Sequence, residues 1–183
     1  MDREVTIALV GVGGYGGVFV EQMLRHGQAR GARLVGVVDP FARKCPKLDE
    51  LRAAGAGVYD DLEAFYAERS ADLVVIASPI HLHAQQTCAA LARGSNVLCE
   101  KPAAATVQDA LAMRDAATAA GKFVAIGFQW SFSAVMQALK ADAVAGHFGR
   151  PVRLRTFVSW PRPTAYYQRN RWAGVLKTPE GDW

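Results

Sequence analysis

Two short stretches carry residue types that could do chemistry: residues 11–17 read GVGGYGG and residues 96–102 read NVLCEKP. In the first, Gly11, Gly13 and Gly16 fall at G-x-G-x-x-G spacing, after an apolar run and before helix-like sequence. Alone such a triplet is a weak signal, and a purely structural glycine turn is the alternative. Its setting sharpens it, because a strand that feeds a glycine turn opening a helix leaves N–H groups unpaired at the positive end of the helix dipole, where a diphosphate binds. There Gly11 permits the tight turn, Gly13 lets a pyrophosphate approach the backbone and Gly16 lets the helix pack closely. Gly14 and Tyr15 complete the turn and are cofactor-binding candidates with it. Asp39 ends the next strand-like run, RLVGVVD. Its carboxylate would accept hydrogen bonds from the adenosine ribose and repel a 2′-phosphate, so NAD is expected as cofactor. Arg43 and Lys44 keep NADP possible, and a mere helix cap is the alternative role for Asp39.

The second stretch is an apolar run that delivers Glu100 and Lys101 directly in front of Pro102. An ammonium beside a nicotinamide can stabilise the alkoxide that develops as hydride leaves an alcohol, or pass its proton onward. Lys101 is therefore the candidate catalytic residue, with Glu100 orienting or neutralising it. A surface ion pair at a strand end is the plain alternative. His81 and His83 stand at i, i+2 with no third ligand nearby, so no metal is expected.

These groups need elements to position them. β-branched runs alternate with helical patterns: strands in EVTIALVGVG, RLVGVVD, GVY, DLVVIAS, NVLCE and FVAIGF, with helices between them. In the first helix the apolar side is read as Val18, Phe19, Gln22 and Met23. Asp60 or Asp61 caps LEAFYAERS, and Thr106 with Asp109 caps VQDALAMRDAATAAG. The alternation predicts an α/β fold with a doubly wound parallel Rossmann sheet in the order 3-2-1-4-5-6 over residues 1–128. In that order the strands ending at Asp39 and Glu100 lie three spacings apart, roughly 14 Å at about 4.8 Å each, comparable with an extended dinucleotide. Residues 129–183 read as a linker helix (FSAVMQALKADAVAGHFG), a long strand over PVRLRTFVSW and a Pro- and aromatic-rich loop.

Composition narrows the class. Half the chain is hydrophobic and 21% is charged, an ordinary globular balance. The N-terminus resembles neither a signal peptide nor a membrane span, so a cytoplasmic protein with no membrane partner is expected. Cys45, Cys88 and Cys99 show no Cys-x-x-Cys spacing and read as small buried hydrophobes. The net charge of +4 comes from residues 131–183, with 8 Lys+Arg against 3 Asp+Glu. Those arginines, among them Arg169 and Arg171, are scattered rather than lined along one helix, so a solvated or partner-facing surface is expected and nucleic acid is not.

The turn at 11–16 together with ASPIHLH, ALARGSNVLCEKP and GHFGRPVRLR resembles the glucose–fructose oxidoreductase, inositol dehydrogenase and rhizopine catabolism (Gfo/Idh/MocA) family of nicotinamide-dependent oxidoreductases. The resemblance runs through nearly the whole chain. It implies that Glu100 and Lys101 touch cofactor and substrate, that Pro102 shapes the turn, and that Ser78, Pro79 and His83 line the nicotinamide half of the cleft. It further implies a small-molecule hydroxyl substrate such as a sugar or polyol. Ile80 stands where the family often has asparagine, and Gln129-Trp130-Ser131 where it often has Asn-x-Arg, so substrate contacts do not carry over at those positions. Family members are about twice as long and continue into a second α/β domain, which supplies an Asp and a His near the substrate. The chain is accordingly expected to be a shortened form that holds only the start of that domain, with Tyr166, Tyr167, Arg169 and Trp172 meant for substrate or sheet packing. An unpaired strand at 152–160 points to a homo-oligomer. A catalytically silent dinucleotide-binding module is the competing reading.

Overall fold

The computed structural model describes residues 4–168, 173–175, 177–178 and 181–182. Its contacts divide the chain into two units, one of Met1–Gly127 with Glu180–Trp183 and one of Phe128–Pro179.

The first unit is a parallel sheet in the order β3-β2-β1-β4-β5-β6. In chain order it runs β1 (Val5–Val10), α1 (Gly16–His26), β2 (Ala32–Val38), α2 (Leu48–Ala53), β3 (Gly57–Tyr59) and α3 (Leu62–Glu68), then β4 (Leu73–Ile76), α4 (His83–Ala92), β5 (Asn96–Cys99), α5 (Val107–Ala120) and β6 (Val124–Ile126). Side chains alternate between the faces of β1. Ile7 and Leu9 pack with Val20 of α1 and Leu48 and Leu51 of α2, while Ala8 and Val10 join Phe65 of α3, Leu91 of α4 and Met113 of α5. With helices over both faces, the central strands need apolar residues at every position, which is why they read as continuous runs rather than as alternation.

Local signals set the helix ends. Asp61, not Asp60, caps α3, its Oδ1 accepting the Ala64 N–H at 2.8 Å, worth about 1 kcal/mol. The Thr106 hydroxyl caps α5 by accepting the Asp109 N–H at 3.1 Å, and it donates back to the Asp109 carboxylate at 2.8 Å. The inward face of α1 differs from the sequence reading. Val18 is 45% exposed, and the buried positions are Gly16 and Val20. Once Gly16 is pinned inward by the glycine turn, the 3.6-residue period brings Val20 inward and carries Val18 out.

The second unit contains α6 (Ala134–Val144), capped by the Ser133 hydroxyl accepting the Met136 N–H at 3.3 Å, and the short α7 (Thr164–Tyr167). The strand expected over 151–160 does not form: residues 151–163 have no ladder partner among the described residues, and Val152, Leu154 and Phe157 are each 88% exposed or more. A strand exists only through its neighbour's hydrogen bonds. Tyr166 and Tyr167 pack edge to face at 5.4 Å, with the Arg162 guanidinium 4.4 Å from the Tyr166 ring. Arg169, Arg171 and Trp172 lie outside the described residues.

Candidate functional site

Parallel strands in this order bring the loops after β2, β1, β4 and β5 side by side along the carboxyl edge of the sheet, the edge at which open α/β sheets bind ligands. The sequence candidates fall in these four loops.

After β1 the chain turns at Gly11, whose φ is +79° and whose missing Cβ would sit 2.8 Å from the Ser78 nitrogen. Both the backbone angle and the packing against the β4 loop demand glycine there. At Gly16 a Cβ would lie 2.0 Å from the Gly11 carbonyl oxygen, so this glycine lets the helix start tightly against its own turn as well as against the sheet. Gly13, Gly14 and Tyr15 are exposed, and their amides donate to no protein acceptor among the described residues. Three free N–H groups at the start of an eleven-residue helix, with open space above Gly13, form a cradle of the kind that holds a diphosphate.

The Asp39 carboxylate is half-buried, and both of its oxygens are engaged. Oδ2 accepts the Val12 N–H at 2.9 Å and Oδ1 accepts the Phe41 N–H at 2.8 Å. Asp39 thus ties the β2 loop to the glycine turn. A carboxylate has about four acceptor positions, so two remain for a ribose diol. Of the two cations that follow, Lys44 lies 4.9 Å from the centre of the exposed Phe41 ring.

At the end of β5, the buried Glu100 points back into the sheet edge rather than toward its neighbour's charge. Its Oε2 accepts the backbone N–H of Lys101 at 3.2 Å, and its Oε1 presses on Gly127, where a Cβ would come within 2.7 Å. Of the two roles open to this carboxylate, orienting or neutralising the lysine, it bonds the lysine's backbone, and among the described residues no ion pair joins it to the ammonium. The exposed Lys101 carries its ammonium 5.7 Å from the centre of the Tyr15 ring, toward the glycine turn across β4 and β1. The Lys101–Pro102 peptide bond is cis. Beneath this corner lies Cys99, a fully buried thiol pushed up to about 12 by burial, with the Glu100 charge adding to the effect and the Thr87 hydroxyl opposing it.

The β4 loop completes the edge. Ser78 donates its hydroxyl to Gln86 of α4, Pro79 is exposed, and His83 is buried with Nε2 3.0 Å from the Ser78 carbonyl and Nδ1 3.0 Å from the Pro102 carbonyl. His83 consequently presents no free nitrogen to the groove. Three contributors escaped the sequence reading: Gly127 behind Glu100, Gln86 on Ser78, and the Val12 amide on Asp39. Of these only Gly127 carried a signal, as a glycine ending a strand-like run. A concavity of about 510 Å³ lies at the opposite, amino edge among Arg33, Arg69, Asp72 and Arg93. Its arginines are engaged, Arg33 with Glu4, Arg69 with the Val35 and Gly55 carbonyls and Arg93 over the Tyr66 ring. The free amides lie at the carboxyl edge instead.

The chain is 34% identical over 154 residues to the inositol 2-dehydrogenase of Rubrobacter xylanophilus, spanning 84% of this chain and 43% of that one. It is 34% identical over 116 residues to the D-glucoside 3-dehydrogenase of Escherichia coli K12, spanning 63% and 33%. Among solved structures, the WlbA dehydrogenase of Bordetella pertussis in complex with NADH and UDP-GlcNAcA superposes with a TM-score of 0.77 at 30% identity, over all of this chain and 52% of that one. The chain thus spans about half, or less, of the relatives it matches. Residues 5–128 match the Gfo/Idh/MocA family model, described as an oxidoreductase family with an NAD-binding Rossmann fold; the chain belongs to that family and carries its NAD-binding domain.

Proposed function

We propose that this chain is the cofactor-binding part of an NAD-dependent oxidoreductase that interconverts a hydroxyl and a carbonyl on a sugar, polyol or related compound. The observation that carries the reading is the shared edge: three free amides in the glycine turn, the Asp39 carboxylate and the Lys101 ammonium all lie along it. In this reading the amides of Gly13, Gly14 and Tyr15 bind the pyrophosphate, Asp39 receives the adenosine ribose, and Ser78, Pro79 and Lys101 border the nicotinamide half. Bound NAD supplies a hydride acceptor at nicotinamide C4. Lys101 stabilises negative charge on the substrate oxygen as its proton leaves, while Glu100 fixes the lysine's backbone from below. The relatives' names point to polyols and glycosides as the substrate class.

A second reading, a dinucleotide-binding module without turnover, is favoured by one observation: His83 is held between two carbonyls and offers no base to the groove. Fluorescence titration with NADH, followed by a polyol panel assayed for NAD reduction, separates the two. NADH binding with turnover that Lys101→Ala abolishes supports the oxidoreductase. Binding without turnover even in a full-length version supports the module, and no binding removes both. No helix among the described residues is long and apolar enough to cross a membrane. With the family's small-molecule chemistry, we place the protein in the cytoplasm, and the exposed Val152, Leu154 and Phe157 favour self-association.

A further inference from the structure

We propose that His83 is a positioning residue whose Nδ1–H, donated to the Pro102 carbonyl, holds the Glu100-Lys101-Pro102 corner in place and so directs the Lys101 side chain over Tyr15.

His83 opens α4 and is only 1% exposed. It faces two carbonyls from different loops, Ser78 after β4 and Pro102 after β5, each at 3.0 Å. A neutral imidazole has one N–H, so it donates to one of these carbonyls at a time. The two bonds have unequal consequences. The β4 loop is already fixed, since the Ala77 N–H donates to the Val10 carbonyl at 2.8 Å and the Ser78 hydroxyl is held by Gln86. Before the proline, the β5 corner is anchored by the Glu100 N–H on the Ile76 carbonyl and by the Glu100 carboxylate on the Lys101 N–H. On the far side Pro102 has no N–H to donate; its carbonyl is tethered by His83 at 3.0 Å, and beyond it the Ala103 carbonyl takes only a long 3.9 Å contact from the Cys99 thiol. Lys101 lies between these two anchors. Losing the second leaves its backbone free to turn, and an ammonium at the end of a four-carbon stem amplifies that turn.

The inference concerns the corner and rests on the proposed function only for calling the groove a cofactor site. Its test uses the 183-residue chain with lysines reductively ¹³C-dimethylated and the Lys101 signal assigned through Lys101→Arg. Ring current from Tyr15 displaces the Lys101 methyl signal from those of the other lysines. Three variants are compared, each checked for folding by circular dichroism: His83→Ala removes both ring nitrogens and with them the donor, His83→Asn places an amide N–H near Nδ1, and His83→Gln places one near Nε2. The expected result is a displaced signal in wild type and His83→Asn, and a signal collapsed onto those of exposed lysines in His83→Gln and His83→Ala. Should His83→Ala fail to fold, the contrast between Asn and Gln decides. Any other pattern overturns the proposal, including a displaced signal in all variants or equal behaviour of Asn and Gln. The cofactor reading fails separately, if NADH leaves the wild-type Lys101 signal unmoved while the His83 variants behave as expected.

Discussion

At the β2 end of the carboxyl edge, Asp39 has both carboxylate oxygens bound to backbone amides, so the side chain is fixed where a ribose would meet it. At the β5 end the arrangement is reversed, with the backbone of Lys101 anchored through Glu100 while its ammonium extends to 5.7 Å from the Tyr15 ring with no carboxylate on it among the described residues. A group that only binds gains from being fixed beforehand, because nothing then has to be ordered when the ligand arrives. A group that must answer charge developing on a substrate needs a fixed root and a responsive head. In the proposed function the two corners therefore divide labour: one holds the cofactor and the other meets the chemistry.

The comparison can be broken most severely at the glycine turn that joins the two ends. Gly16→Val would force a side chain into the Gly11 carbonyl, already 2.0 Å from a Cβ. It is expected to destabilise the chain by on the order of 3 kcal/mol in urea unfolding and to weaken NADH binding at least about a hundredfold in titration, equivalent to about 2.7 kcal/mol. Next comes Asp39→Ala, which strands the Val12 and Phe41 amides and removes the proposed ribose acceptor. NADH affinity should fall by about 2 kcal/mol, or roughly thirtyfold, while NADPH affinity falls less, so the ratio of the two dissociation constants moves toward one.

A smaller effect tests the rigidity beneath the lysine corner through Cys99. Its thiol keeps its proton in the folded chain up to about 12, well above the ordinary value of 9.0. As pH rises past the unfolded value the unfolded chain loses this proton first, so the contribution of Cys99 to stability is complete below about pH 9 and declines from there toward 12. Between pH 9 and 10 the loss should be about 1 kcal/mol in denaturant melts, and Cys99→Ala should flatten that alkaline limb. The smallest effect is the sharpest for the division of labour. Lys101→Ala should change the NADH dissociation constant by less than about threefold, under about 0.7 kcal/mol. A loss as large as that of Asp39→Ala would mean that the lysine is a binding group and that the two corners do not differ in kind.

Much of this edge could be read from residue order alone, because its determinants are local. Glycines at G-x-G-x-x-G spacing, an acid ending the second strand and a lysine-proline step after the fifth each announce a backbone event within a few residues. The sheet order followed from apolar runs alternating with capped helices. What stayed illegible depends on partners distant in sequence. The orientation of Glu100 is set by Gly127, His83 is tied down by a carbonyl nineteen residues away, and Val18 faces out because Gly16 must face in. The expected strand at 151–160 is the clearest miss. Val152, Leu154 and Phe157 look like strand residues, but alternation specifies only a face, and a ladder needs a neighbour.

The central claim is that the turn amides and Asp39 hold one dinucleotide whose far end reaches the Lys101 corner, and an amide NMR titration of the ¹⁵N-labelled chain with NADH tests it most directly. The account predicts that the Gly13, Gly14 and Tyr15 amides move most, with Asp39 and Lys101 following along the same binding curve. Shifts confined to the amino edge around Arg33, Arg69 and Arg93, or a glycine turn that NADH leaves untouched, would contradict it.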